Sequence, residues 1–208
     1  MSGKRHSVLP AVDRSGPKPP VNFSSSLTIS DNAILQGTHS ITMQTETVVH
    51  PRAKFESHLG SIFIGRRCII HERAHIGARP DDIAGAKPGG VIFGDYVVVE
   101  VGSRIEAGDT EIGEGTTVQV GTRIGSGAKI GKHCTISHMS TISPGEVVPD
   151  FTTVYSNGLR RTDKRGVADM RKHGLVKQIA VLKKMIPSNL EKFQMNAHGS
   201  TSSSYPTS

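Results

Sequence analysis

The 208-residue sequence has no tryptophan, 4 % aromatic residues and two cysteines, Cys68 and Cys134. A core built on large rings is therefore excluded. Two thiols are also too few for a disulfide framework or a four-cysteine zinc site, which fits a reducing compartment. No apolar stretch approaches the roughly 18 residues of a membrane span, and the run Tyr96–Val99 stops at Glu100. The first twenty residues hold four prolines and four bases but no apolar segment of the kind a secretory signal needs. These absences predict an intracellular protein with no membrane insertion.

Charge is unevenly spread. Lys and Arg number 25 against 18 Asp and Glu. Residues 1–20 carry four bases and one acid, residues 21–159 eleven bases and fourteen acids, and residues 160–208 ten bases and three acids. A mildly acidic body with basic ends points to an acidic protein surface as partner, or simply to a solvated helix, and away from nucleic acid.

What is abundant is glycine, with 23 residues, and a period of six. From Ile112 an aliphatic residue returns at Val118, Ile124, Ile130, Ile136, Ile142, Val148 and Val154. The fourth residue after each hit is usually small, as at Thr116, Thr122, Ala128, Cys134, Ser140 and Thr152, with Glu146 as the exception. The same grammar fits Met43, Val49 and Phe55, then Ile64, Ile70 and Ile76, then Phe93, Val99 and Ile105, and it begins at Ile29 and Leu35. Helices need apolar spacings of three and four, and half-buried strands alternate every two, so neither sustains six. Short strands and turns coiled into a prism do, each coil burying the edge of the next.

The fold expected is an all-β solenoid, a parallel β-helix of hexapeptide repeats with about six coils, spanning residues 21–158. Its left-handed sense is implied by resemblance to the hexapeptide superfamily. Leu35 to Met43 is eight residues and Ile105 to Ile112 seven, so extra residues must bulge at corners. An inserted loop at about 77–90 interrupts the repeats. Residues 1–20 read as a disordered basic extension, 159–194 as a basic linker with C-terminal helices, and 195–208 as a disordered Ser-rich tail. Leu175, Ile179, Leu182 and Ile186 form one helical stripe, with Lys177, Lys183 and Lys184 read as lying opposite. Pro187 ends that helix, and Ser188 with Glu191 predicts a capping box for a second short one.

Hexapeptide prisms host acyltransferases, metal-dependent carbonic anhydrases and structural modules, so the fold does not select a function. His50, His71, His75, His133 and His138 lie in or beside regular hexads. Their phase differs from the anhydrase pattern, which places a histidine two residues after an aliphatic position and another five later. No third converging ligand is evident for a catalytic metal. Cys68 and Cys134 occupy small positions and read as buried corner thiols. Catalytic, cofactor-binding and metal residues are therefore none.

At the residue level the chain resembles the dynactin subunit 6 family. The resemblance runs through Ile41 to Ala53 with its His50-Pro51, the insertion at 77–90, Phe93-Gly94 and Val99-Glu100-Val101-Gly102. It continues through Val147-Val148-Pro149, Val154-Tyr155 and Leu159-Arg160-Arg161, and ends in Val181 to Leu190. It covers about residues 21–194 and implies a non-catalytic, cytoskeletal subunit of the dynactin pointed-end complex, supporting dynein-driven microtubule transport and cargo adaptor attachment. The partners implied are dynactin subunit 5 (a second β-helix), the pointed-end actin-related protein, dynactin subunit 4 and the dynein–dynactin assembly, with no cofactor. Arg160, Arg161, Lys177, Lys183 and Lys184 are the candidate partner-binding residues. The competing class is a homotrimeric hexapeptide enzyme, carbonic-anhydrase-like or acyltransferase.

Overall fold

The computed structural model describes residues 16–80 and 88–194. The expectations for residues 1–15, for the middle of the inserted loop and for the tail at 195–208 lie outside the described residues. The hexads form a parallel β-helix with three faces, of seven, seven and six parallel strands, the second extended by one further antiparallel strand. The first face runs from Val21–Phe23 to Val147–Val148, the second from Thr28–Ile29 to Thr152–Val154, and the third from Ile34–Gly37 to Thr141–Ile142. Each coil takes one strand from each face in turn. Six coils are complete, and a seventh supplies the first two faces.

The period of six is one strand plus one corner. The repeated aliphatic residue points to the axis, and the residue before it faces outward. Inward residues stack in register, as Ile64, Phe93 and Ile112 do on the first face, and are almost fully buried. Burying each such side chain contributes roughly 1.5–3 kcal/mol. Coil cross-section is conserved by compensation: Phe55 shares its coil with Val49 and Phe93 shares its coil with Val99, whereas the coil between them holds Ile64, Ile70 and Ile76.

At four of the small positions the side chain does more than fit a corner, because its hydroxyl or thiol donates to a carbonyl one coil on. Thr47 Oγ1 lies 2.9 Å from Gly65 O, Cys68 Sγ 3.3 Å from Gly94 O, Thr116 Oγ1 2.8 Å from Gly131 O and Cys134 Sγ 3.1 Å from Pro149 O. Burial pushes the Cys68 thiol up to about 12 and raises that of Cys134 as well. Both thiols should therefore resist an aromatic disulfide reagent at pH 8 in the folded protein and react once the chain is denatured. Rapid labelling of either in the native state would refute their burial.

Every departure from the hexad falls at one corner, between the third face and the first. Leu35 to Met43 and Ile105 to Ile112 do so, as do Phe55 to Ile64, nine residues apart, and the long insertion. The strand His75–Ala78 carries the third face through Gly77 and Ala78, so the insertion leaves the prism at Arg79, later than the expected start at 77.

Both prism ends are closed largely by this chain. Pro17 and Pro20 carbonyls accept from Gly37 and Ile41 N–H, so the described part of the expected N-terminal extension joins the first coil. At the same end Leu190 and Phe193 pack against the core, and Ser188 Oγ accepts from Ile29 N–H at 3.0 Å. The expected capping box is corrected: Ser188 is spent on the first coil, and Asn189 Oδ1 accepts the Lys192 N–H at 3.2 Å ahead of α2, Glu191–Gln194. At the far end a strand in the expected linker, Arg160–Thr162, pairs antiparallel with Thr152–Val154. There Pro149, which has no N–H to leave unpaired, stands at the corner position that Gly131 fills one coil earlier, and Glu146 accepts the Ser143 N–H.

Candidate interaction surfaces

The second face is covered by α1, Ala168–Met185. Its outward residues Val48 and Ile69 form a small core with Leu175 and Ile179, against which Tyr96, Val98, Leu182 and Ile186 pack. The helix starts earlier than the apolar stripe predicts because its first turns are held by polar contacts. Arg171 donates to Thr135 Oγ1 at 3.2 Å and pairs with Asp163 at 3.3 Å, and Lys172 bonds Glu114 and lies over the Tyr96 ring. Asp163 is held well below the usual carboxylate range by hydrogen bonds from Arg165, with Arg171 adding to them. The helix ends as the sequence requires: Ile186, ahead of Pro187, is extended at φ −94° and ψ 114°.

The five basic residues expected to bind partners do not form one patch. Arg160 and Arg161 lie on the last strand at one end of the prism, and Arg160 pairs with Glu146. Lys177 and Lys184 are exposed on the outer side of α1. Lys183 is half-buried on the other side, where its charge helps keep Glu46 acidic after the larger effect of the Arg67 hydrogen bond. At about 100° per residue, position 183 falls beside Ile179 and Ile186, which corrects its expected place opposite them.

The third face is a charge ladder. Lys54, His75, Arg104 and Arg123 stand on successive strands, with Glu56 and Glu106 alongside. Glu106, largely buried, lies 3.6 Å from both arginines and accepts the Ser126 N–H at 3.2 Å. Glu56 lies 3.1 Å from His75 Nε2, and that close contact is the main cause of its acidity, at about 2.

Of the other hexad histidines, His138 is exposed and the remaining three pack locally. His50 and His71 stack at 4.6 Å, both depressed mainly by burial, and His133 stacks on Phe151 at 5.1 Å. Among the described residues no three His, Cys, Asp or Glu side chains converge as a metal would require. Acid should weaken the fold in two stages. A histidine pKa depressed by folding stabilises the neutral form, so that contribution is lost as pH falls below the unfolded value near 6.5. The depressed Glu56 stabilises the ionised form, and its contribution is lost from about 4.5 down to about 2. Melting curves from pH 8 to 3 should show both steps, with His50→Gln and His71→Gln together removing the first and Glu56→Gln reducing the second, to which Glu46 and Asp163 also contribute; persistence of the first step in the double histidine variant would exclude the stacked pair as its origin.

The first face is uncovered among the described residues, with Phe63, Ile92 and Val147 exposed on its outward side. A family profile described as "Bacterial transferase hexapeptide (six repeats)" matches residues 109–144, within the most regular stretch of coils. The chain is 29 % identical to a Xenopus tropicalis protein named dynactin subunit 6, over 71 % of this chain and 73 % of that one. Its identity to the Danio rerio protein of the same name is 28 %, over 71 % and 75 %. A hexapeptide transferase family protein of Anaplasma phagocytophilum superposes with a TM-score of 0.62 at 11 % identity, covering 81 % of this chain and 98 % of that one, a likeness of fold alone.

Proposed function

We propose that this chain is a non-catalytic structural subunit of a dynactin-type complex, acting at its pointed end in the cytoplasm and serving dynein-driven transport along microtubules. The observation that carries the reading is the similarity to two dynactin subunit 6 chains across 71 % of the sequence. The arrangement of surfaces is compatible with it. Because this chain closes most of both prism ends itself, partners are best received on faces and on α1 rather than by end-to-end stacking of coils.

On this reading the partners are a second β-helix subunit, the pointed-end actin-related protein and dynactin subunit 4. Lys177 and Lys184 offer an exposed basic row for an acidic partner, and Arg160 with Arg161 a second one at the far end. No helix among the described residues is long and apolar enough to cross a membrane.

The test is affinity purification of the tagged full-length chain from its native cells at modest salt. Recovery of a second β-helix protein with actin-related proteins supports the proposal, and Lys177→Glu with Lys184→Glu should deplete at least one of them. A homotrimer that binds coenzyme A or turns over bicarbonate, without those partners, would replace it with the enzyme reading.

A further inference from the structure

Two exposed rows on this chain match each other. On the first face, outward residues Phe63, Ile92, Glu111, Lys129 and Val147 stand on five successive strands in register. Phe63 is 39 %, Ile92 51 % and Val147 69 % exposed. On α1, the side opposite Leu175 and Ile179 presents Met170, Gly174, Lys177, Val181 and Met185, and its three apolar members are 73 %, 56 % and 70 % exposed.

We infer that the first face of one copy of this chain receives the outer side of α1 of a second copy. Met170 to Met185 spans about 22 Å at a rise of about 1.5 Å per residue. Phe63 to Val147 spans about 19 Å across four strand spacings of about 4.8 Å. Laid along the row, Met185 meets Phe63, Val181 meets Ile92, Lys177 meets Glu111 and Met170 meets Val147. Glu111 holds its own Lys129 at 3.1 Å and has lone pairs for a second ammonium. Gly174, with nothing within 4 Å of where a Cβ would stand, leaves room over Lys129 without a like charge.

The reversed helix is disfavoured by the same chemistry, although it keeps Lys177 on Glu111. It would set Val181 on Lys129 and Gly174 on Ile92, burying a charge and wasting an apolar contact. This chain already uses the geometry internally, where α1 lays Leu175 and Ile179 on the outward Val48 and Ile69 of its own second face. Because the two rows are different surfaces, the contact runs head to tail, and it does not depend on the dynactin reading.

Sedimentation equilibrium of the full chain over a wide concentration range tests it. The wild type should self-associate into species heavier than the 22.2 kDa monomer. Phe63→Asp alone and Val181→Asp alone should each weaken association at least about thirtyfold, as loss of a well-packed apolar anchor does. Both side chains point outward, so melting temperatures should hold. Mixed in equal amounts, the two variants should form a one-to-one dimer, since one retains the helix row and the other the face row. A wild type that stays monomeric throughout, as when another protein occupies these rows, overturns the inference. So does assembly that survives Phe63→Asp, or a mixture that stays monomeric.

Discussion

Phe93→Ala should cost about 4 kcal/mol, as truncations of buried Phe do, and lower the melting temperature by about 10 °C for a chain of this size. Phe93 is fully buried and sits in register between Ile64 and Ile112. Its coil is filled by one large and two smaller residues, Phe93 with Val99 and Ile105, so no neighbour in that coil has volume to spare. The backbone cannot collapse into the hole either. Each strand is tied to the coils above and below by hydrogen bonds such as Gly65 N–H to Phe93 O at 3.1 Å and Gly94 N–H to Ile112 O at 2.8 Å.

The position in the stack adds a second effect. In a solenoid each coil is stabilised mainly by its nearest neighbours. Weakening a central coil should loosen the coupling between the two halves, so the unfolding transition should broaden as well as shift. Phe93→Leu, which keeps most of the volume, should cost about 1 kcal/mol and leave the transition sharp. Calorimetry of the three proteins checks this, and an alanine variant melting within about 2 °C of wild type would mean that the coil repacks.

The prism was legible because its period belongs to no other common element. Eight aliphatic hits from Ile112 to Val154 specify a turn every six residues, and register follows from counting. The corner at which extra residues gather was only partly legible. The nine-residue step from Phe55 to Ile64 shows no break in composition, so its place on the same edge as the other insertions emerges only once the hexads are assigned to faces. The first turns of α1 escaped the apolar stripe because Arg171 and Lys172 are held by Thr135, Asp163 and Glu114, which are distant or unpatterned in sequence.

Surface chemistry was harder to read, since it depends on which outward residue each neighbour covers. Val48 and Ile69 on the second face and Phe63 and Ile92 on the first occupy equivalent positions in their strands. Nothing local in the sequence says that one pair lies under a helix and the other is bare. Charge alone groups the lysines, yet helical phase turns Lys183 inward while Lys177 faces out.

Gly113→Ala should destabilise the protein by about 3 kcal/mol, the upper range for overpacking a tight site, although it adds a single methyl group. Gly65, Gly94, Gly113 and Gly131 form a column along the corner where the first face passes to the second. A Cβ on Gly113 would stand 2.6 Å from the Gly131 carbonyl group and 2.7 Å from Lys132 N, all backbone atoms. No side chain can swing away, and the coils cannot part without losing the bond from Gly113 N–H to Ile130 O at 2.8 Å. The cost is therefore one of space. Gly102 provides the contrast: nothing lies within 4 Å of its would-be Cβ, but its φ of +67° is left-handed. Gly102→Ala should cost only about 1 kcal/mol of backbone strain. Urea denaturation of both variants separates the two origins, and equal losses would mean that the close approach of successive coils at this corner is not what selects glycine there.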